Sequence, residues 1–162
     1  MTLETALLFV VVVAGATWVG GSIACTVLGT RIARSGDTGA LGRYAAEYVQ
    51  VAPGLFGGTG FLTLVAAIWL VAVSDGLDFV PWVIIALVLW FASLVLAATA
   101  VGFSWTRIAI ALGHTLGNDG GARTPSVDSA TAPELVKRAL RLSWIDIALR
   151  VVVVLLVVWQ PA

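Results

Sequence analysis

"SWIDIALRVVVVLL", residues 143–156, is a run of lipid-soluble helix that carries an aspartate and an arginine. Whether it crosses a bilayer decides between three spans and four. A charge near the bilayer centre costs roughly 3 kcal/mol on insertion scales, so the run has to be read together with its own periodicity. Asp146 and Arg150 stand four residues apart with the acid nearer the helix N-terminus, the arrangement in which the two side chains meet on one face. At about 100° per residue Ser143 shares that face, while Val and Leu cover the others. With the cytoplasmic boundary near Arg141, Asp146 lies about 7 Å deep and Arg150 about 13 Å deep, close to the midplane. Paired and turned towards protein, both charges are compatible with a span over about 134–159. Its start is marked by "TAPE", residues 131–134, which has the form of a capping box with Pro133 in the first turn.

Three other stretches reach the roughly 20 apolar residues that a 30 Å hydrocarbon core requires, at about 5–30, 46–74 and 81–106. The whole chain supports the same class: 60% of its residues are hydrophobic and 11% charged, with a mean hydropathy of +1.03, against roughly 25% charged residues in soluble domains. The expected fold is all-α, an integral membrane four-helix up-and-down bundle forming one domain over 1–162, with a flexible cytoplasmic loop at 113–133. "RIARSGDTGALGR" at 31–43 and "SDGLDFV" at 74–80 supply the other two connections, rich in the residues that interrupt helices. Arg31, Arg34 and Arg43 flank the first connection; Arg107, Arg123, Lys137, Arg138 and Arg141 flank or occupy the third. The second holds only Asp75 and Asp78. The positive-inside rule then puts both termini outside. Trp69, Trp82 and Trp159 fall at the outer interface and Trp105 and Trp144 at the inner one, as aromatic belts. The first span carries Glu4 and no cationic lead, which argues against a cleaved signal peptide. Arginine-heavy, Ala/Val/Gly-rich usage points to a bacterial plasma membrane.

Several function classes are poorly served. Net charge is zero and there is no basic tract, so nucleic acid is not an expected partner. One cysteine, Cys25, and one histidine, His114, rule out an internal disulfide and leave too few ligands for a protein-only zinc or bis-histidine haem site. No nucleophile and base pairing is visible. "GLFGGTG" lies inside a span and is not a nucleotide loop. No metal and no cofactor is expected, although a haem or quinone needs few protein ligands to sit between helices.

The candidate ligand or ion pocket lies in the inner half of the membrane. Asp146 and Arg150 are its centre, with Ser143 on their face. A carboxylate takes only part of a guanidinium's five donors, so Arg150 needs further acceptors. Helix two is their expected source: Pro53 breaks the backbone ladder and frees carbonyls, while Glu47, Gln50 and Thr59 are polar groups within reach of the same patch. Helix one adds Thr17, Ser22 and Thr26 and a small-residue face, Ala16, Gly20 and Ala24, spaced for close helix contact. Helix three adds Ser93, Thr99 and Ser104.

Three blocks, "WVGGSIACTVLGTRIARSGDTGALGRYAAE" at 18–47, "AAIWLV" at 66–71 and "LVKRALRLSWIDIALRVVVVLLVVWQP" at 135–161, resemble the bacterial integral membrane proteins grouped as domain of unknown function 2269. Trp18, Gly20, Gly21, Arg31, Arg34, Asp37 and Asp146 carry the resemblance, which implies the four-helix fold and no particular reaction. Arg150 stands where the resemblance implies an aliphatic residue. The functional expectation is an accessory or structural subunit of a membrane assembly, with a homo-oligomer or a larger membrane protein and the lipid bilayer as partners. The alternative is an oligomeric transporter or channel-like protein for a small solute, ion or proton. A membrane enzyme or a haem- or quinone-binding protein ranks below both.

Overall fold

In a computed structural model the described residues are 2–73, 81–114 and 131–159. They are helical almost throughout, and no strand occurs among them. Four helical rods are long and apolar enough to cross a membrane: Leu3–Ser35, Thr38–Val73, Pro81–Ala111 and Ala132–Trp159, of 33, 36, 31 and 28 residues. The first is α1. The second consists of α2 (Thr38–Ala52), a π-helical segment Pro53–Gly57 and α3 (Gly58–Val73). The third consists of α4 (Pro81–Leu96), a second π-helical segment Ala97–Val101 and α5 (Gly102–Ala111), and the fourth is α6.

The expected loop at 31–43 is almost entirely helix, a difference with a local cause. α1 runs on to Ser35, where Gly36 takes the left-handed conformation (φ 76°) that ends a helix. Asp37 at once caps α2, its carboxylate accepting from the Ala40 N–H at 2.9 Å. Gly stop and Asp start are adjacent, so the connection shrinks to two residues and both helices project beyond a 30 Å hydrocarbon core. α5 ends in a similar way, with Gly113 at φ 79° and the His114 N–H donating to the Ala109 carbonyl. α6 begins at Ala132, directly after Thr131. The connection at 74–80, with Asp75 and Asp78, and the stretch 115–130 of the expected 113–133 loop, with Arg123, lie outside the described residues.

Outward faces are apolar, the reverse of a soluble protein: Phe9, Phe61, Val88, Phe91 and Phe103 are each more than 60% exposed. Small and hydroxylated residues fill much of the interior instead. α1 packs along α3 and α6, α4 and α5 pack on α6, and α2 closes the ring against α5. Gly15 faces Val154 and Ser22 meets Arg150, so α1 and α6 run antiparallel and both chain ends lie at one end of the bundle. The other end carries Arg31, Arg34, Arg43, Arg107, Lys137, Arg138 and Arg141, and is called the cationic end below.

The two halves of the bundle are packed differently. At the cationic end Ala45, Trp105, Ile108, Ala109 and Ala139 form a core in which none is more than 1% exposed. Towards the termini α3 and α4 scarcely touch. One expected feature is corrected here, and another makes no contact within the chain. Trp105, assigned to an interfacial belt, is the largest fully buried side chain, and Trp82 is buried too. The stripe Ala16, Gly20 and Ala24 is exposed, and a Cβ on Gly20 would meet nothing. Close approaches are made by Gly21, Gly29 and Gly60 on the buried faces.

Candidate functional site

Asp146 and Arg150 lie one turn apart on α6, 4% and 3% exposed, and the Arg150 Nη2 to Asp146 Oδ2 distance is 2.5 Å. The surroundings determine what this pair does. Asp146 Oδ1 accepts a hydrogen bond from Ser93 Oγ of α4 at 2.5 Å. Arg150 Nη1 donates to Ser22 Oγ of α1, and Ser22 Oγ in turn donates to the Trp18 carbonyl at 2.7 Å. The pair thus ties α6 to α1 and to α4. Removing one partner of such a buried pair typically costs about 3–5 kcal/mol, because it strands the other charge.

Arg150 also lies against two rings. Its Cζ is 4.9 Å from the Trp18 ring centroid and 5.6 Å from that of Phe56, both within cation–π range. Each ring is seated on a glycine of the other span. A Cβ on Gly21 would stand 2.9 Å from Phe56 Cε1, and one on Gly60 would stand 3.0 Å from Trp18 Cε2. α1 and the second rod therefore interlock, Trp18 over Gly60 and Phe56 over Gly21, and present two aromatic surfaces to one guanidinium. Trp90 of α4 closes the layer, donating from Nε1 to the Gly60 carbonyl at 3.1 Å.

Beside this layer the second and third rods part around a cleft of about 360 Å³, within the range of small-molecule sites. Tyr48, Pro53, Phe56, Trp90 and Phe103 contribute its aromatic and cyclic walls, and Trp18 and Arg150 border it from behind. Both π segments line it, through Pro53, Phe56 and Gly57 on one side and Ala97 and Ala98 on the other. Pro53 has no N–H for the Val49 carbonyl, and the backbone there takes the wider turn. In the third rod the Thr99 hydroxyl donates to the Val95 carbonyl at 2.6 Å, while the Gly102 N–H reaches back five residues to Ala97. A Cβ on Gly102 would sit 3.3 Å from that same carbonyl, which favours glycine there. Single-turn π insertions occur often at functional sites; here two face one cleft.

The acceptors expected from helix two are not the ones Arg150 uses. Glu47 and Gln50 are exposed and do not border the cleft. Thr59 donates to its own helix at the Leu55 carbonyl, 2.7 Å away. Ser143 is buried on the Asp146 face but donates to Ala139 of its own helix at 2.9 Å. Pro53 lines the cleft, yet no carbonyl near it accepts from Arg150 among the described hydrogen bonds. Helix two contributes an aromatic ring, Phe56, instead of oxygen atoms. Trp18 enters the sequence reading only through the family resemblance, and neither it nor Phe56 nor Trp90 is among the pocket candidates. The available signal was depth: Trp18 and Trp90 fall in mid-span, where no interfacial belt explains a tryptophan.

Two buried donors lack partners among the described residues, Trp105 Nε1 in the closed core and one nitrogen of Arg150. Arg150 Nε is buried without a hydrogen-bond partner among the described residues, a state that costs about 1–3 kcal/mol for a buried polar group and more for a charged one. No three of His, Cys, Asp and Glu come together among the described residues. The site offers a fixed guanidinium, a carboxylate that accepts from Ser93, aromatic faces and an opening between two rods. The chain matches no family model, no curated protein and no solved structure.

Proposed function

We propose that this is a non-catalytic membrane protein whose cleft between the second and third rods receives an apolar or amphipathic molecule from the bilayer, with the Asp146–Arg150 pair as its rigid polar back wall. The cationic end faces the cytoplasm of a bacterial cell in this reading, by the positive-inside rule. One observation carries it: two π-helical segments on different rods open one cleft at the depth of a buried arginine. A purely structural clasp does not account for the cleft. Buried ion pairs are often replaceable by apolar packing without loss of stability, and four apolar helices do not need one to associate.

The test uses protein reconstituted in lipid with a photoactivatable diazirine amphiphile. Trp18 and Phe56 are 3% and 7% exposed, so bulk acyl chains do not reach them. The reading expects adducts on these two residues, and their loss in Ala98→Phe, which fills the cleft from an exposed position. Adducts confined to the outward faces would overturn it.

A second reading, an accessory subunit, is favoured by the uncovered stripe Ala16, Gly20 and Ala24, since such faces let helices approach closely. In a Cys25→Ser background, Gly20→Cys should then form a crosslink in native membranes, to a second copy or to another protein. A monomeric product only would remove this reading.

A further inference from the structure

We propose that the cleft holds one acyl chain of an anionic lipid from the leaflet at the cationic end. Its acyl oxygen accepts from the Tyr48 and Thr106 hydroxyls, its charged head lies beside Arg107, and its chain end rests against Phe56 and Trp90. This inference rests on the cleft being a binding site, as argued above, and names what fills it and which way round.

Shape is the first argument. Along the second rod the cleft runs from Tyr48 to Gly60, about 18 Å at 1.5 Å per residue. Its volume of about 360 Å³, spread over that length, averages a cross-section on the order of 20 Å², the width of one extended hydrocarbon chain. Both ends are closed. At the mid-bundle end Trp90 Nε1 donates to the Gly60 carbonyl at 3.1 Å. At the cationic end Ala45 and Ala109 are fully buried, and a Cβ on Gly42 would stand 2.5 Å from Cε1 and Nδ1 of the His114 ring. The open side is lateral, past the exposed residues Ala98 and Phe103. A linear molecule therefore enters from the bilayer and lies along the rods.

Polarity is the second, and it gives the direction. Thr17, Thr30, Thr59, Thr63 and Thr99 each donate to a carbonyl of their own helix. Thr106 makes no such bond among the described residues, and neither does the Tyr48 hydroxyl, although Tyr44 one turn earlier donates to the Cys25 carbonyl at 2.6 Å. These two idle donors are the cleft residues nearest the cationic end on their respective rods. Walls further in are Phe56, Gly57, Trp90 and Leu94, and the Arg150 guanidinium behind them is neutralised by Asp146 and faced by the Trp18 and Phe56 rings. An acyl oxygen suits the hydroxyl end, and methylenes suit the rest.

Charge is the third. Arg107 stands one turn beyond Phe103 on the same face of α5, just past the hydroxyls. It is exposed and makes no ion pair among the described residues, whereas Lys137 at the same end is bound to Glu134 at 2.8 Å. An uncompensated cation at the polar end of the cleft favours an anionic head.

The experiment uses the full chain in lipid nanodiscs with phosphatidylglycerol probes carrying a diazirine either near the ester or far down one acyl chain. Adducts are mapped by mass spectrometry. The ester-proximal probe should label Tyr48 and the distal probe Phe56 and Trp18, and Ala98→Phe should abolish all three adducts. The reverse order would overturn the orientation. A phosphatidylcholine probe with the same chain should label Phe56 on the order of tenfold less, and Arg107→Gln should remove that difference while the order of adducts stays. Equal labelling by the two lipids in the unmodified protein would refute the anionic head. The double variant Tyr48→Phe/Thr106→Val should reduce distal labelling of Phe56 on the order of tenfold; unchanged labelling would refute the hydroxyl contact. Unlabelled oleate and unlabelled phosphatidylglycerol serve as competitors: the stronger of the two identifies a free carboxylate or a phospholipid as the source, and failure of both would refute the anionic lipid. Labelling of Trp18 by the diazirine amphiphile without lipid adducts on Tyr48 and Phe56 would overturn the ligand class and leave the cleft standing. Absence of both would remove the cleft reading itself.

Discussion

The half of the bundle at the cationic end and the half at the chain termini are made from similar residues and pack in opposite ways. Near the cationic end, α2, α5 and α6 close on alanines, Ile108 and Trp105, with Tyr44 edge-on and Tyr48 tilted against that indole. Near the termini, α3 and α4 part and leave a narrow apolar groove of about 40 Å³. Between them lies one layer, containing Trp18, Phe56, Trp90, Asp146 and Arg150. The difference teaches where rigidity is placed. α2, α5 and α6 are closed around Trp105, while the cleft opens in the same half between Tyr48 and Ala52 on one rod and Gly102 and Phe103 on the other, with the π turns at Pro53–Gly57 and Ala97–Val101 along its wall.

If that layer is the joint between the halves, damage to it should exceed damage on either side. Asp146→Ala should destabilise the protein most, by about 3–5 kcal/mol, because the guanidinium is left buried and unpaired; unfolding in detergent micelles measures it. Gly60→Ala and Gly21→Ala come next, at about 1–3 kcal/mol each, since their Cβ atoms would press on Trp18 and Phe56 at 3.0 and 2.9 Å. Matching losses of bound diazirine amphiphile would tie this interlock to the cleft. Within the closed half, Tyr44→Phe removes a 2.6 Å hydrogen bond to the Cys25 carbonyl and should cost about 1 kcal/mol. Gly20→Ala faces open space and should change monomer stability by less than about 0.5 kcal/mol. A Gly20→Ala effect as large as that of Gly60→Ala would erase the distinction between buried and outward faces of α1.

How much of this could be read beforehand depended on the range of the interaction. The spans and the Asp146–Arg150 pairing are local: helical period and i, i+4 geometry place them without knowledge of neighbours. The two-residue turn was also local, a glycine stop followed by an aspartate start, but the same letters read equally well as a loop. Arg150's partners were beyond reach. Ser22, Ser93, Thr17, Thr26, Thr59 and Thr99 are equivalent as single hydroxyls, and only the axial register of α1 and α4 against α6 selects Ser22 and Ser93. Glu47 and Gln50 were plausible by depth and excluded by rotation about the helix axis. The exposed stripe Ala16, Gly20 and Ala24 shows the same lesson: spacing identifies a face that can be approached closely, and registration decides which glycines are. Of the two π segments, Pro53 announced a disturbance, whereas "AATAV" contains no proline or glycine and offered only Gly102 behind it.

The most direct measurement is a double-mutant cycle on Asp146→Leu and Arg150→Leu, followed by unfolding in detergent micelles. With the guanidinium sheltered in protein and bound to its carboxylate, each single substitution should cost about 3–5 kcal/mol and the double variant far less than their sum, a coupling of several kcal/mol. Additive losses, agreeing within about 0.5 kcal/mol, would mean that the two charges do not meet in the folded protein and would contradict the account at its centre.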